Sequence, residues 1–110
     1  MILHSGMARI IARWVDDTTE SPLAIDLHLV GGRVSGPSLA FGCVDWEGAR
    51  RPFVMDEDGR IDFGAGHDRF WRTDLRAATI KVGETFRIFW RDGDEGVYRI
   101  VKIAVPGSKA

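Results

Sequence analysis

Thr79 to Val105 reads TIKVGETFRIFWRDGDEGVYRIVKIAV, and this stretch decides the fold class. Phe86, Ile88 and Trp90 alternate with Arg87, Phe89 and Arg91, the period-two spacing of a strand that keeps one face in a core. After the acid- and glycine-rich break Asp92 to Gly96, β-branched residues crowd the run Val97 to Val105 at Val97, Ile100, Val101, Ile103 and Val105. That is the composition of a second strand, and the two runs predict an antiparallel hairpin. Upstream, Val82-Gly83-Glu84 separates Ile80 from Phe86, and the glycine supplies the positive φ of a tight turn or a sharp bend. Bend, long hairpin and returning strand are a common way of closing a small antiparallel sheet on itself.

Moving towards the N-terminus, Arg69 to Ala78 reads two ways. Asp68 as a cap with Trp71, Leu75 and Ala78 at i, i+4 and i+7 fits one or two helical turns, the reading favoured here, while Phe70 to Leu75 also fits an extended edge. Residues 64 to 68 form a loop. Phe53-Val54-Met55 and Ile61-Asp62-Phe63 flank Asp58-Gly59, a strong hairpin signal because both residues tolerate the positive φ of a type I′ turn. In the apolar run Leu39 to Trp46, Gly42 predicts a bulge or the close approach of another backbone. Ile25, Leu27 and Leu29 alternate cleanly with Asp26 and His28 before Gly31-Gly32 ends the strand. The first strand, Ala8 to Val15, is expected to pair with it and to place Ile10, Ala12 and Trp14 on one face. Residues 1 to 6 read as a loose lead-in, and Met7 is an alternative start.

About seven strands with turn signals roughly every ten residues predict an all-β, mainly antiparallel domain, a small barrel or sandwich with at most one short helix. At 110 residues and 45 % hydrophobic content the chain reads as a single domain, 1–110, able to build a core. The lone Cys43 excludes an internal disulfide and fits a reducing cytoplasm. No run approaches the roughly 20 apolar residues of a membrane span, and the N-terminus lacks the pattern of a secretory leader. Arg and Asp outnumber Lys and Glu, as in a GC-rich bacterial genome.

The net charge of −1 gives no long-range field for a polyanion, but charge is segregated along the chain. Arg69, Arg72, Arg76, Lys81, Arg87 and Arg91 face only Asp74 and Glu84, while acids gather at Asp56 to Asp58 and Asp92 to Glu95.

Catalytic and metal chemistry find little support. With Gly59 at the sixth position of a calcium loop, Val54 and Ala65 fall where the first and last carboxylates belong. Cys43 with His28 and His67 contains a nucleophile and bases, and Asp26, His28 and His67 are metal-ligand types, yet no spacing brings either set together. Gly64-Ala65-Gly66 lacks the rest of a phosphate loop. No catalytic residue, metal or cofactor is expected.

Neighbouring aromatics say more. If Trp90 enters the core, Phe89 lies outside between Arg87 and Arg91, and the same alternation puts Ile11 outside between Arg9 and Arg13. Phe70-Trp71 is a second such aromatic pair. The last strand carries Val97, Val101, Ile103 and Val105 on one face and Tyr98, Ile100 and Ala104 on the other, more apolar surface than a sheet with one wet face needs. The expected function is therefore non-enzymatic, a cytoplasmic protein that binds protein, as a homodimer built on Arg9, Ile11, Arg13, Phe70, Trp71, Arg87, Phe89 and Arg91. Stacking of single-stranded nucleic acid on the same Arg/aromatic face is the alternative. A small-molecule site in a barrel mouth, possibly enzymatic, is the third.

Overall fold

Every strand of the chain finds its neighbour in sequence, and the last returns to the first. The computed structural model describes residues 5–17, 19, 22–36, 39–46, 48–64, 70–90 and 93–106. The strands are β1 (Gly6–Trp14), β2 (Leu23–Val30), β3 (Arg33–Val34), β4 (Ala40–Trp46), β5 (Ala49–Met55), β6 (Arg60–Asp62), β7 (Phe70–Thr73), β8 (Thr85–Phe89) and β9 (Glu95–Ala104). Hydrogen bonding runs β1-β9-β8-β7-β6-β5-β4-β2, and β2 pairs with β1 to close an antiparallel barrel of eight strands. The two-residue β3 folds back on the end of β2 through Gly31 and Gly32, whose φ values of 59 and 77 are those of a type I′ turn. Closure leaves no second sheet, so the barrel prevails over the sandwich.

Alternation fills the interior. Ile10 and Ala12 from β1, Leu23, Ile25, Leu27 and Leu29 from β2, and Phe86 and Ile88 from β8 are all buried, as their spacing predicted. Eight strands leave room for about this much side chain, and here apolar groups occupy it. Phe53, Phe63, Trp71, Trp90 and Trp14 run in file across it, with successive ring centroids 6.1, 4.9, 6.5 and 5.6 Å apart and edges turned towards faces. Thr73 is the one buried polar residue among those described. Its hydroxyl donates to Arg87 O at 2.7 Å and accepts the Leu75 N–H at 3.2 Å.

The segment that read as helix or edge is both in turn. Phe70–Thr73 is strand β7, and only Leu75–Ala77 coils, as a 3₁₀ turn. Asp68 lies outside the described residues. The helical reading fails over Phe70 to Thr73 because β6 and β8 each offer a ladder, and pairing with both outweighs the apolar spacing. Leu75 and Ile80 on either side of the turn are both buried in the core, and Gly83 turns the chain into β8 at φ 96.

Two further local expectations change. The Asp58-Gly59 connection is a three-residue loop: Asp56 N–H donates to Arg60 O and Gly59 N–H to Asp56 O, with Gly59 at φ 81. In β9 the register slips by one, Ala12 facing Ile100 and Ile11 facing Lys102, so Val101 is an extra residue. The bulge returns Ile103 to the inside, opposite Ile10, where strict alternation had placed it outside. Gly6 already pairs with Leu29 in β1, so the lead-in ends earlier than residue 6.

Candidate functional site

Because the lumen is packed, the groups free to act lie on the outside of the strands. Their positions follow from register. On β7, β8, β9 and β1, Arg72 stands opposite Phe89, Arg87 opposite Val97, and Arg99 opposite both Thr85 and Arg13. On β6, Arg60 stands opposite Arg72. A diagonal of five arginines, Arg60, Arg72, Arg87, Arg99 and Arg13, therefore crosses five adjacent strands. Directly paired members are about 5 Å apart at Cβ and diagonal ones about 7–8 Å.

Two aromatic rings sit in this ladder. The Arg60 guanidinium carbon lies 4.0 Å from the Phe70 ring centroid and that of Arg72 5.5 Å away. Phe89, 38 % exposed, lies between Arg72 and Glu95 in register. Arg60 Nε is buried with no hydrogen-bond partner. Like charges placed directly opposite are destabilising, and the ladder contains two such pairs, Arg60 with Arg72 and Arg13 with Arg99.

The other half of the exterior is arranged differently. On β1, β2, β4 and β5, charges meet their opposites. Arg9 donates to both oxygens of Asp26 at 2.7 and 3.0 Å, and Arg50 Nη1 lies 3.4 Å from Asp45 Oδ1. The hydrogen bond from Arg9 holds the Asp26 carboxyl below the usual carboxylate range, and Asp26 in turn raises Arg9. Between these pairs the outward side chains are apolar: Phe41 at 59 % exposure, Met7 at 49 %, and the partly covered Ile11, Ala24, Cys43 and Val54. A shallow groove of about 380 Å³ runs beside them, lined by Met7, Ala8, Arg9, Asp26, Ala104, Val105 and Pro106.

Comparison of the chain with protein-family models, with curated proteins and with solved structures found no match.

The residues singled out from sequence thus divide. Arg87, Phe89, Phe70 and Arg13 belong to the ladder, whereas Arg9 and Ile11 sit on the compensated half. Trp71 faces inward, 6 % exposed in the aromatic file, because its neighbours Phe70 and Arg72 take the outward positions of β7. Arg91 lies outside the described residues, as does Arg69. Arg76 leaves the basic stripe to donate to Asp56 O and Gly36 O, and Lys81 lies 3.7 Å from Glu84. Arg60, Arg99 and Phe41 were not singled out. Alternation places each outside, but only the register shows which of them are neighbours.

Of the catalytic and metal candidates, Asp26 and His28 share an outward row of β2, whereas Cys43 and His28 stay apart. Cys43 faces outward from β4 rather than into the core, with Arg50 Nη2 at 3.3 Å from its Sγ. His28 is four positions along β2 from Ala24, the residue opposite Cys43, a separation of roughly 13 Å at strand rise. Its Nδ1 hydrogen-bonds with Ser35 Oγ at 2.7 Å. His67 lies outside the described residues. Asp56 Oδ1 accepts the backbone N–H groups of Asp58 and Arg60, each at 2.9 Å, so this carboxylate caps its own turn.

Among the described residues no helix is long and apolar enough to cross a membrane.

Proposed function

We propose that the chain is a non-enzymatic cytoplasmic binding protein that works from the outside of a filled barrel and pairs with a second copy of itself through β1, β2, β4 and β5. The observation that carries this reading is the arrangement of Phe41 and Met7 over a face whose charges are already compensated, Arg9 by Asp26 and Arg50 by Asp45. A two-fold contact sets a patch against itself. A compensated apolar face tolerates that, whereas the arginine ladder would oppose ten guanidinium groups from its two sets of five. The groove beside Met7 and Val105 offers an apolar seat for a ring of the second copy. A lumen filled by aromatic and aliphatic side chains favours this reading over a small-molecule site inside the barrel.

Sedimentation equilibrium of the intact chain and of Phe41→Glu tests it. A dimer is expected for the natural chain. Each buried ring contributes about 1.5–3 kcal/mol, and two are removed per dimer, so Phe41→Glu weakens association by at least about 10²–10⁴-fold. Phe89→Asp leaves the dimer intact. A natural chain that stays monomeric at tens of micromolar, or a dimer split by Phe89→Asp and not by Phe41→Glu, overturns the assignment.

A further inference from the structure

We infer that His28 makes the pairing of two copies sensitive to pH: the dimer holds at neutral pH and loosens as the imidazole takes up a proton. The inference rests on the pairing through β1, β2, β4 and β5 proposed above. His28 lies on the same outward row of β2 as Asp26 and is exposed. Met7, one of the two apolar side chains that carry that pairing, stands directly opposite it on β1, and Phe41, the other, stands opposite Asp26 on β4. Val30, the next outward residue of β2, and Leu39, two positions before Phe41, are exposed apolar groups as well. A second copy seated on Met7 and Phe41 therefore covers the His28 ring and takes it out of water.

What surrounds the ring decides which protonation state tolerates that. Nδ1 lies 2.7 Å from Ser35 Oγ, and the Ser35 N–H donates to His28 O at 2.9 Å, so neutral partners hold the ring in place. A neutral imidazole satisfies one nitrogen on this hydroxyl and donates or accepts with the other. An imidazolium needs a counter-ion once water is excluded, since a charge buried without a partner is costly. The neighbouring strands offer only acids that already hold a cation. Asp26, the one acid on β1, β2 and β3, accepts both hydrogen bonds from Arg9, and Asp45 lies beside Arg50 towards the far end of β4. Cys43, opposite Ala24, is two rows further along. Arg33 on β3 stands opposite Val30 and donates to Ala77 O, and Arg76 from the 3₁₀ turn reaches Gly36 O, one residue past Ser35. Both are further cations, and they too favour the neutral ring.

Sedimentation equilibrium of the intact chain at pH 7.5 and 5.5, at one ionic strength, tests the inference. A histidine ordinarily charges as pH falls through about 6.5. Separated copies then bind more protons than the dimer does, so association weakens with falling pH, about tenfold for each ring over this interval and about 100-fold for the two rings of a dimer. His28→Gln, which keeps His4 and His67, is expected to associate with one strength at both pH values. In the natural chain the His28 ring signals in proton NMR are expected to move with pH over a lower range in concentrated solution, where copies pair, than in dilute solution. These signals decide the matter if the glutamine variant no longer pairs. Circular dichroism at pH 5.5 confirms that each chain is folded before association is compared. Association of the natural chain that is equal at the two pH values or tighter at pH 5.5, or an equal loss in His28→Gln, overturns the role of His28 and leaves the pairing standing. Ring signals whose midpoint ignores concentration do the same. A natural chain that is monomeric at both pH values overturns the pairing and this inference together.

Discussion

Gly42 is the residue on which the packing of two strands turns. It pairs with Ile25 on one side and Phe53 on the other, and the Phe53 ring lies over it. A Cβ there would press on the backbone carbonyl of Ala24 and sit 2.5 Å from Phe53 Cζ, so a strand backbone or a buried ring would have to shift to admit it. The close approach expected of a glycine in a strand is present, and β4 keeps its register without a bulge. Gly42→Ala is therefore expected to destabilise the barrel by about 1–3 kcal/mol through overpacking, read as a lower urea midpoint with an unchanged m-value. An unchanged midpoint would mean that Phe53 can swing aside into the core.

Among the elements, β9 carries the plainest departure from sequence pattern. Its Val101 bulge reverses the inward-outward order, so that two residues of similar chemistry have opposite environments. Ile103→Thr removes inward apolar surface opposite Ile10 and places a hydroxyl there, a cost of about 1–3 kcal/mol, whereas Val101→Thr changes stability by no more than about 0.5 kcal/mol. Paired denaturation curves decide this, and equal effects would place both side chains on one face. Period-two alternation made most strands legible, since it is set by the geometry of one strand alone. The hairpin of β8 and β9, the pairing of β1 with β2 and the inward faces of both were read that way. The bulge was not legible, because an inserted residue is defined only against its partner strand. Nor was the fate of Phe70 to Thr73, where a local helical spacing lost to two ladders contributed by distant sequence. The site was legible in part for the same reason: Phe89 and Arg87 follow from alternation, while Arg60 and Arg99 become their neighbours only through register.

At the scale of the whole molecule, cross-strand charges are arranged differently around the barrel: Arg9 meets Asp26 and Arg50 meets Asp45, whereas Arg60 stands opposite Arg72 and Arg13 opposite Arg99. Like charges directly opposite each other on neighbouring strands are destabilising. Arg72 tests that cost, since it lies opposite Arg60, whose Nε is buried without a hydrogen-bond partner. Arg72→Glu turns a like-charge pair into an opposite one and gives that guanidinium an acceptor. A cross-strand change of this kind is worth about 0.5–1 kcal/mol, so the thermal midpoint should rise by roughly 2–5 °C. The guanidinium of Arg60, the nearer of the two at 4.0 Å, still covers the Phe70 ring in the variant. Differential scanning calorimetry of the natural chain and the variant measures the shift. A variant that melts lower would show that Arg72 supports the fold in spite of the like charge opposite it.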